Sequence, residues 1–214
     1  MAVITATPAV IAAAVAAVMA IKAATAATLM MAATIAPAPP TTPTTAPPAK
    51  DSAMTLSLTS SAFSHQGEIP VRYTCEAQGK EVSPPLAWHG VPPGAKSLAL
   101  IVDDPDAPDP KAPQTTWVHW VLYGLPPAAA GLPEAVSPAA LPPGTRQGSN
   151  DWHRTGYGGP CPPVGRHHYF FKLYALDTVL PDLGDPDKNR LEQAMQGHVL
   201  AHAELVGTYQ KGAR

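Results

Sequence analysis

The sequence contains little cysteine and little charge. Cys75 and Cys161 are its only cysteines, and they lack the close pairing that zinc sites and thioredoxin-like sites require. Charged residues make up 14% of the chain, the formal net charge is -2, and Lys and Arg form no run. The sequence therefore predicts neither a cysteine metal cage nor a nucleic-acid partner. The two cysteines form one disulfide if the protein is exported, or stay as buried thiols if it is cytosolic.

Motifs of nucleotide-binding proteins and of common hydrolases are also missing. The chain has no GxSxG, Walker or GxGxxG pattern. HVLAH at 198–202 has the histidine spacing of a zinc helix, but Val199 stands where the catalytic glutamate belongs. We expect these two histidines to be half-buried helix residues, and we predict no metal and no cofactor.

The first 53 residues differ in composition from the rest. Residues 1–36 are almost wholly Ala, Val, Ile, Met and Thr, and residues 37–53 form a proline- and threonine-rich linker. Read from Met19, the first segment has the short basic start and apolar stretch of a signal peptide. We predict a signal peptide or apolar leader and a periplasmic or secreted protein. An uncleaved anchor and a cytoplasmic protein with a wrongly assigned start are the alternatives.

Residues 54–214 read as one mainly β domain, because short apolar runs alternate with proline and glycine. Strands are expected over 55–59, 69–73, 97–103, 117–123, 168–177 and 204–210. SLALIVDD and WVHWVLYGL are apolar on both alternating faces, as in strands covered on both sides.

One helix is expected near the C-terminus. Asn189 and Glu192 have the spacing of a capping box at its first turn. An apolar stripe follows, through Leu191, Ala194, Met195, Val199 and Leu200.

Polar residues interrupt the pattern at three places. DDPDAPDP at 103–110 ends a buried strand in a turn stiffened by prolines; alone, it reads as a solvated turn. His119 lies in an apolar strand, on one face with Trp117, Val121 and Tyr123; alone, it reads as a core histidine. Before the next strand, GYGGPCPP at 156–163 combines glycines, which admit a ligand to the main chain, with prolines that hold the shape.

Together these segments predict a small anion pocket. His167 and His168 follow the glycine-rich turn and face opposite sides of their strand. A neighbouring aspartate is expected to raise the pKa of a pocket histidine, so that the imidazolium pairs with phosphate or carboxylate oxygens. Cys161 near His167 is a candidate nucleophile, but its flanking prolines give no reason for a lowered thiol pKa.

Five segments also carry a resemblance to a known family. They are VSPPLAW at 82–88, DDPDAP at 103–108, WVHWVLYGLP at 117–126, GYGGPCPP at 156–163 and HHYFFKLYALD at 167–177. In this order they resemble the phosphatidylethanolamine-binding protein family, and most closely its bacterial Raf kinase inhibitor-like branch. The resemblance implies a mainly β fold with a large antiparallel sheet, a smaller sheet packed on it and a C-terminal helix.

The resemblance further implies a pocket for phosphate, acetate or phosphorylated head groups. The pocket residues that it implies are Asp104, His119, His167 and Tyr169, with Asp106 and Trp117 in support and a loop wall of Gly159, Pro160, Cys161 and Pro162.

One position departs from the family pattern, because His168 stands where an arginine is usual and Arg166 precedes it by two residues. If that arginine pairs with an acidic residue on the outer face, His168 does so only when protonated. We therefore expect pH-sensitive support of the pocket.

The expected function is non-enzymatic binding of a small phosphate- or carboxylate-bearing ligand. One alternative is a hydrolase or transferase in which Asp104 and His119 activate a water molecule. Another is a protein-binding regulator of a kinase or peptidase. The sequence is also compatible with a protein partner at the pocket mouth and with a homodimer.

Overall fold

The computed structural model describes residues 55–78 and 82–212, so the predicted leader (1–36) and linker (37–53) lie outside the described residues. Within those ranges no helix is long and apolar enough to cross a membrane. The elements are β1 (Ser57–Thr59), β2 (Gly67–Glu68), β3 (Leu86–His89), β4 (Ser97–Ala107), β5 (Thr115–Leu125), β6 (Gly131–Leu132), β7 (Arg146–Gln147), β8 (Arg166–Leu176), α1 (Lys188–Met195) and β9 (Val199–Gln210).

The strands form two sheets. The larger sheet has the order β2-β9-β8-β4-β5-β7, and the smaller sheet has the order β1-β3-β6. Neighbouring strands are antiparallel except for the short β2, which pairs in parallel with β9. The predicted mainly β fold, with a large sheet, a smaller sheet and a C-terminal helix, is confirmed.

Each face of the large sheet is covered. The core between the two sheets includes Leu58, Trp88, Leu100, Trp120 and Phe171. The core between the large sheet and α1 includes Ile101, Val121, Tyr123, Leu191 and Met195. Residues 97–104 of β4 are buried throughout, as the two-sided apolar pattern predicted.

The predicted strand over 69–73 is wrong. Ile69 donates its N–H to Thr208, which ends the contact with β9, and Val71–Tyr73 forms a 3-10 turn. Pro70 has no N–H to continue a ladder, and its carbonyl accepts the N–H of Tyr73. The chain therefore turns within 69–73, where the β-branched and aromatic residues had predicted an extended strand.

The predicted helix stripe and its cap are also wrong in part. The helix ends at Met195, and Gly197 follows with a φ of 79° in the left-handed region that ends helices. Val199 and Leu200 consequently begin β9 and are exposed. The cap is Asp187, whose Oδ1 accepts the N–H of Arg190 at 2.8 Å.

The histidines of HVLAH lie outside the helix and are exposed, contrary to the half-buried helical placement expected. His198 follows the helix in a turn, and its Nδ1 lies 2.8 Å from Asp177 Oδ1. His202 lies in β9, where its ring stacks on Tyr174. In the described ranges, no group of three or more His, Cys, Asp or Glu residues could hold a metal ion.

Candidate anion-binding site

A cavity of about 330 Å³ opens at the edge of the large sheet where β4 ends and β5 and β8 begin. It is lined by Asp104, Ala107, Pro108, Trp117, His119, Trp152, Cys161, Pro162, Pro163 and His167. The β4–β8 ladder stops at the pair Asp103 and Phe170, although both strands continue past it. Beyond that pair, a side-chain bond between Asp104 and His167 replaces the backbone pairing. The acidic segment, the strand histidine and the glycine-proline turn therefore meet at one place.

A β-bulge brings His119 into the cavity. Asp103 pairs with Val118 and Val102 pairs with Trp120, so His119 is an extra residue on β5. Val121 packs in the core under α1, whereas His119 lines the cavity. The prediction that His119 shares a face with Val121 and Tyr123 is therefore wrong.

The glycine-rich turn fixes the tautomer of His119. The Nδ1 atom lies 2.7 Å from the carbonyl oxygen of Gly158, and the N–H of Gly158 donates to the His119 carbonyl oxygen at 2.9 Å. Because a carbonyl can only accept, Nδ1 carries the proton and Nε2 keeps its lone pair. Burial lowers the pKa of His119 to about 4. The expectation of a raised pKa is wrong for this histidine, which is neutral at pH 7.

Asp104 and His167 form a closed pair in the cavity wall. His167 Nδ1 lies 2.7 Å from Asp104 Oδ2, and His167 Nε2 donates to the Val164 carbonyl oxygen at 3.0 Å. Asp104 Oδ1 accepts the N–H of Asp106 at 2.8 Å. Burial raises the pKa of Asp104, and the hydrogen bond from His167 opposes that rise. The two side chains therefore bond each other within the cavity wall.

Within the described ranges, the buried indole N–H of Trp117 has no hydrogen-bond partner. The buried hydroxyl of Tyr169 makes no well-formed hydrogen bond either, although it lies near the Asp104 carboxylate. The Tyr169 ring stands edge-on to His119, with centroids 5.1 Å apart. Burial, and then the Asp104 carboxylate, raise the pKa of Tyr169, which keeps its hydroxyl protonated. Buried donors without partners are rare in folded proteins and suit a polar ligand.

A disulfide between Cys75 and Cys161 ties the loop wall to the segment after the first 3-10 turn. The N–H of Cys75 also donates to the carbonyl oxygen of Pro160 at 3.1 Å. Pro162 and Pro163 line the cavity, whereas Gly159 and Pro160 are buried and do not line it. The alternative of Cys161 as a thiol nucleophile is excluded while the disulfide is intact.

Asp106 supports the site from outside the cavity. Its Oδ2 accepts the N–H of His168 at 2.9 Å and lies 2.7 Å from His168 Nδ1. The side chain of His168 is half-exposed on the outer face, as predicted from its place after His167. Arg166 instead lies 3.6 Å from Glu68 and contacts the hydroxyl of Thr208. The acidic partner expected for His168 is thus Asp106.

Sequence reasoning missed Trp152 and the lining residues Ala107, Pro108 and Pro163. The Trp152 ring packs edge-on against both Trp117 and His119, with centroids 5.5 Å and 5.1 Å away. A Cβ on Gly158 would lie 2.3 Å from Trp152 Cζ3. A tryptophan in a polar loop shortly before a glycine cluster was the available signal.

Comparisons with known proteins agree with this architecture. Residues 59–210 match the family model described as phosphatidylethanolamine-binding protein. The chain belongs to this family. It is 52% identical over 158 residues to a UPF0098 protein of Methanothermobacter thermautotrophicus, covering 73% of this chain and 100% of that protein. A UPF0098 protein of Chlamydia muridarum is 46% identical over 156 residues, covering 73% and 99%.

Two solved structures of family members have similar folds. The putative family homologue CT736 of Chlamydia trachomatis has a TM-score of 0.67 and 44% identity, covering 74% of this chain and 99% of that chain. The E. coli protein YbcL, described as a new member of the mammalian family, has a TM-score of 0.65 and 32% identity, covering 72% and 98%. Both likenesses support the fold assignment.

Proposed function

We propose that this member of the phosphatidylethanolamine-binding protein family is a non-enzymatic binding protein for a small ligand bearing phosphate or carboxylate. The observation that carries the proposal is the set of polar groups at one small cavity. Among the described residues, the buried indole N–H of Trp117 has no partner, and the His119 imidazole, which lines the same cavity, has a hydrogen bond at Nδ1 alone. A ligand with oxygen atoms would complete these contacts.

The protonation states support binding over catalysis. A general base needs a pKa near the working pH, whereas burial lowers the pKa of His119 to about 4. His167 has both ring nitrogens bonded, to Asp104 and to Val164, so it offers no free nitrogen to a substrate. Steady phosphoester or ester turnover that is lost in His119→Ala would favour the hydrolase alternative instead.

Export is part of the same proposal. Disulfides persist in oxidising compartments, so the bridge between Cys75 and Cys161 supports a periplasmic or secreted location. The location agrees with the signal-peptide pattern of the first segment.

The test is an NMR titration with inorganic phosphate and with phosphorylethanolamine. We expect the largest shifts at the backbone N–H groups of His119 and Gly158 and at the indole N–H of Trp117. Trp117→Phe keeps an aromatic ring but removes the donor, and it should weaken binding about tenfold. His89→Ala, at an exposed position in β3, should bind like wild type. Shifts confined to residues away from the cavity would overturn the assignment.

A further inference from the structure

The strand β9 has an open edge over part of its length. It pairs with β8 from Val199 to Gln210, but on its other side β2 pairs only with Gly207 and Thr208. Among the residues that the structure describes, no hydrogen bond reaches the outer side of β9 over 201–205. A row of unpaired N–H and C=O groups at a sheet edge is a template on which another strand can add.

The hydrogen bonds of Val206 show which backbone groups of β9 point outward. Its carbonyl oxygen accepts the N–H of Gln66 at 2.7 Å, and its N–H donates to His65 Nδ1 at 3.2 Å. Both partners directly precede β2, so both backbone groups of Val206 point away from β8. In a strand, alternate residues point their backbone groups to opposite sides. The even-numbered residues before Val206 therefore point theirs outward, as far as a bulge in which Leu200 is the extra residue.

His202 and Glu204 are thus the two residues whose outward backbone groups are free within the described ranges. Both residues are exposed. On β8, Tyr174 lies opposite His202, and Lys172, which is bonded to Asp103, lies opposite Glu204. This part of β9 contains no proline and no lysine, the residues with which proteins commonly protect an exposed edge.

The β9 strand of a second copy of the chain complements this edge. Antiparallel pairing about a two-fold axis at Ala203 places His202 of each copy opposite Glu204 of the other. Each of the two pairs exchanges two backbone hydrogen bonds, so four bonds use all the free outward groups of both copies. An imidazole also lies opposite a carboxylate at both pairs, which stabilises neighbouring strands.

Other registers complement the edge less well. An axis at His202 places that residue opposite itself and Glu204 opposite Leu200, which lies in the bulge. An axis at Glu204 places two carboxylates opposite each other, and like charges at directly opposite positions destabilise a sheet. That register also places His202 opposite Val206, whose backbone groups are already bonded.

We propose that the open edge of β9 is the contact surface of a symmetric homodimer, in which the large sheets of two copies join through His202 and Glu204. Two residue pairs make a small contact, so the dimer is weak and reversible. The cavity residue His167 pairs with Tyr209, which lies about 20 Å along β9 from Ala203 at roughly 3.3 Å per residue. The inference therefore does not depend on the proposed function of the cavity.

Sedimentation equilibrium of the full chain at roughly micromolar to millimolar concentrations tests the proposal. We expect a monomer–dimer equilibrium. His202→Glu places a carboxylate opposite each Glu204 and should raise the dimer dissociation constant about tenfold or more. His89→Glu makes the same change at an exposed position in β3 and should leave the dissociation constant unchanged. A protein that stays monomeric at millimolar concentration would overturn the proposal, and so would an equal effect of the two variants.

A charge swap identifies the register. His202→Glu combined with Glu204→Lys restores opposite charges only where position 202 of one copy faces position 204 of the other. The double variant should therefore return the dissociation constant to within about threefold of the wild-type value. In each of the other two registers the swap leaves like charges opposite each other. A dimer that the swap does not restore would overturn the assigned contact.

Amide hydrogen exchange of the wild-type protein, followed by NMR, gives a readout that needs no variant. In the monomer the N–H groups of His202 and Glu204 point to the open edge, whereas the N–H of Ala203 points to β8. Raising the protein concentration should slow exchange at His202 and Glu204 and leave Ala203 unchanged. Slow exchange at the lowest concentration would mean that another part of the same chain pairs with this edge, and it would overturn the proposal. Fast exchange at every concentration would overturn it as well.

Discussion

At Gly158 the structure leaves no room for a side chain. The Trp152 ring lies where its Cβ would be, at 2.3 Å, and the same glycine bonds His119 through both its N–H and its carbonyl. We expect Gly158→Ala to lower the free energy of unfolding by about 1–3 kcal/mol and to weaken phosphate binding, because the ring must leave the cavity wall. Chemical denaturation and near-ultraviolet circular dichroism would measure the two effects.

A double-mutant cycle gives the control for that prediction. In a Trp152→Ala background the added methyl group has space, so Gly158→Ala should then cost much less. Equal costs in both backgrounds would show that the ring contact is not the cause.

Single residues differ in how far the sequence predicts them. The opposite faces of His167 and His168 follow from the two-residue period of a strand, and the structure agrees. The face of His119 depends on a bulge, which arises from the register between β5 and β4 and leaves no local signal. Its pKa depends on burial, which lowers it, and on the hydrogen bond to the Gly158 carbonyl, which opposes that fall, and neither can be read from spacing.

Among the elements, α1 gives a direct test of a cap. Asp187 accepts the N–H of Arg190, whereas Asn189 is an exposed residue inside the helix. Asp187→Ala should therefore lower the free energy of unfolding by about 1 kcal/mol. Asn189→Ala, at the cap expected from the sequence, should change it by less than about 0.5 kcal/mol. Denaturant melts of both variants, analysed with a common slope, would separate the two caps, and a larger loss at Asn189 would contradict the assignment.

Element boundaries were harder to predict than element types. The long apolar strands β4, β5 and β8 were expected; β4 and β5 extend beyond the predicted limits, whereas β8 begins two residues before its predicted start and ends one residue before its predicted end. The β4 strand continues past Pro105 to Ala107, because the register shift after Asp104 accommodates a residue that cannot donate. β3 was missed, and its four residues are too few to show a clear alternation.

For the whole molecule, the disulfide is the largest covalent constraint. Cys75 and Cys161 are 86 residues apart, so the bridge limits a long loop in the unfolded chain. The loop-entropy relation gives about 4.5 kcal/mol of stabilisation for such a loop. The double variant Cys75→Ser, Cys161→Ser should lose about this much in guanidinium denaturation.

Wild-type protein treated with dithiothreitol provides the comparison. It should unfold at the same denaturant concentration as the double variant, which itself should not respond to the reductant. If dithiothreitol did not change the denaturant concentration at which the wild-type protein unfolds, that result would argue against the bridge.

The order of the lining residues along the chain determines when the cavity can form during synthesis. Its lining begins at Asp104 on β4 and is completed by His167 on β8, a strand that pairs with β9 up to Gln210. During synthesis, the lining residues on β4 and β5 are made long before β8, which completes the lining, and β9, which pairs with β8. Ligand capture should thus be a late event in biogenesis, and a product truncated before β9 should be made without acquiring it.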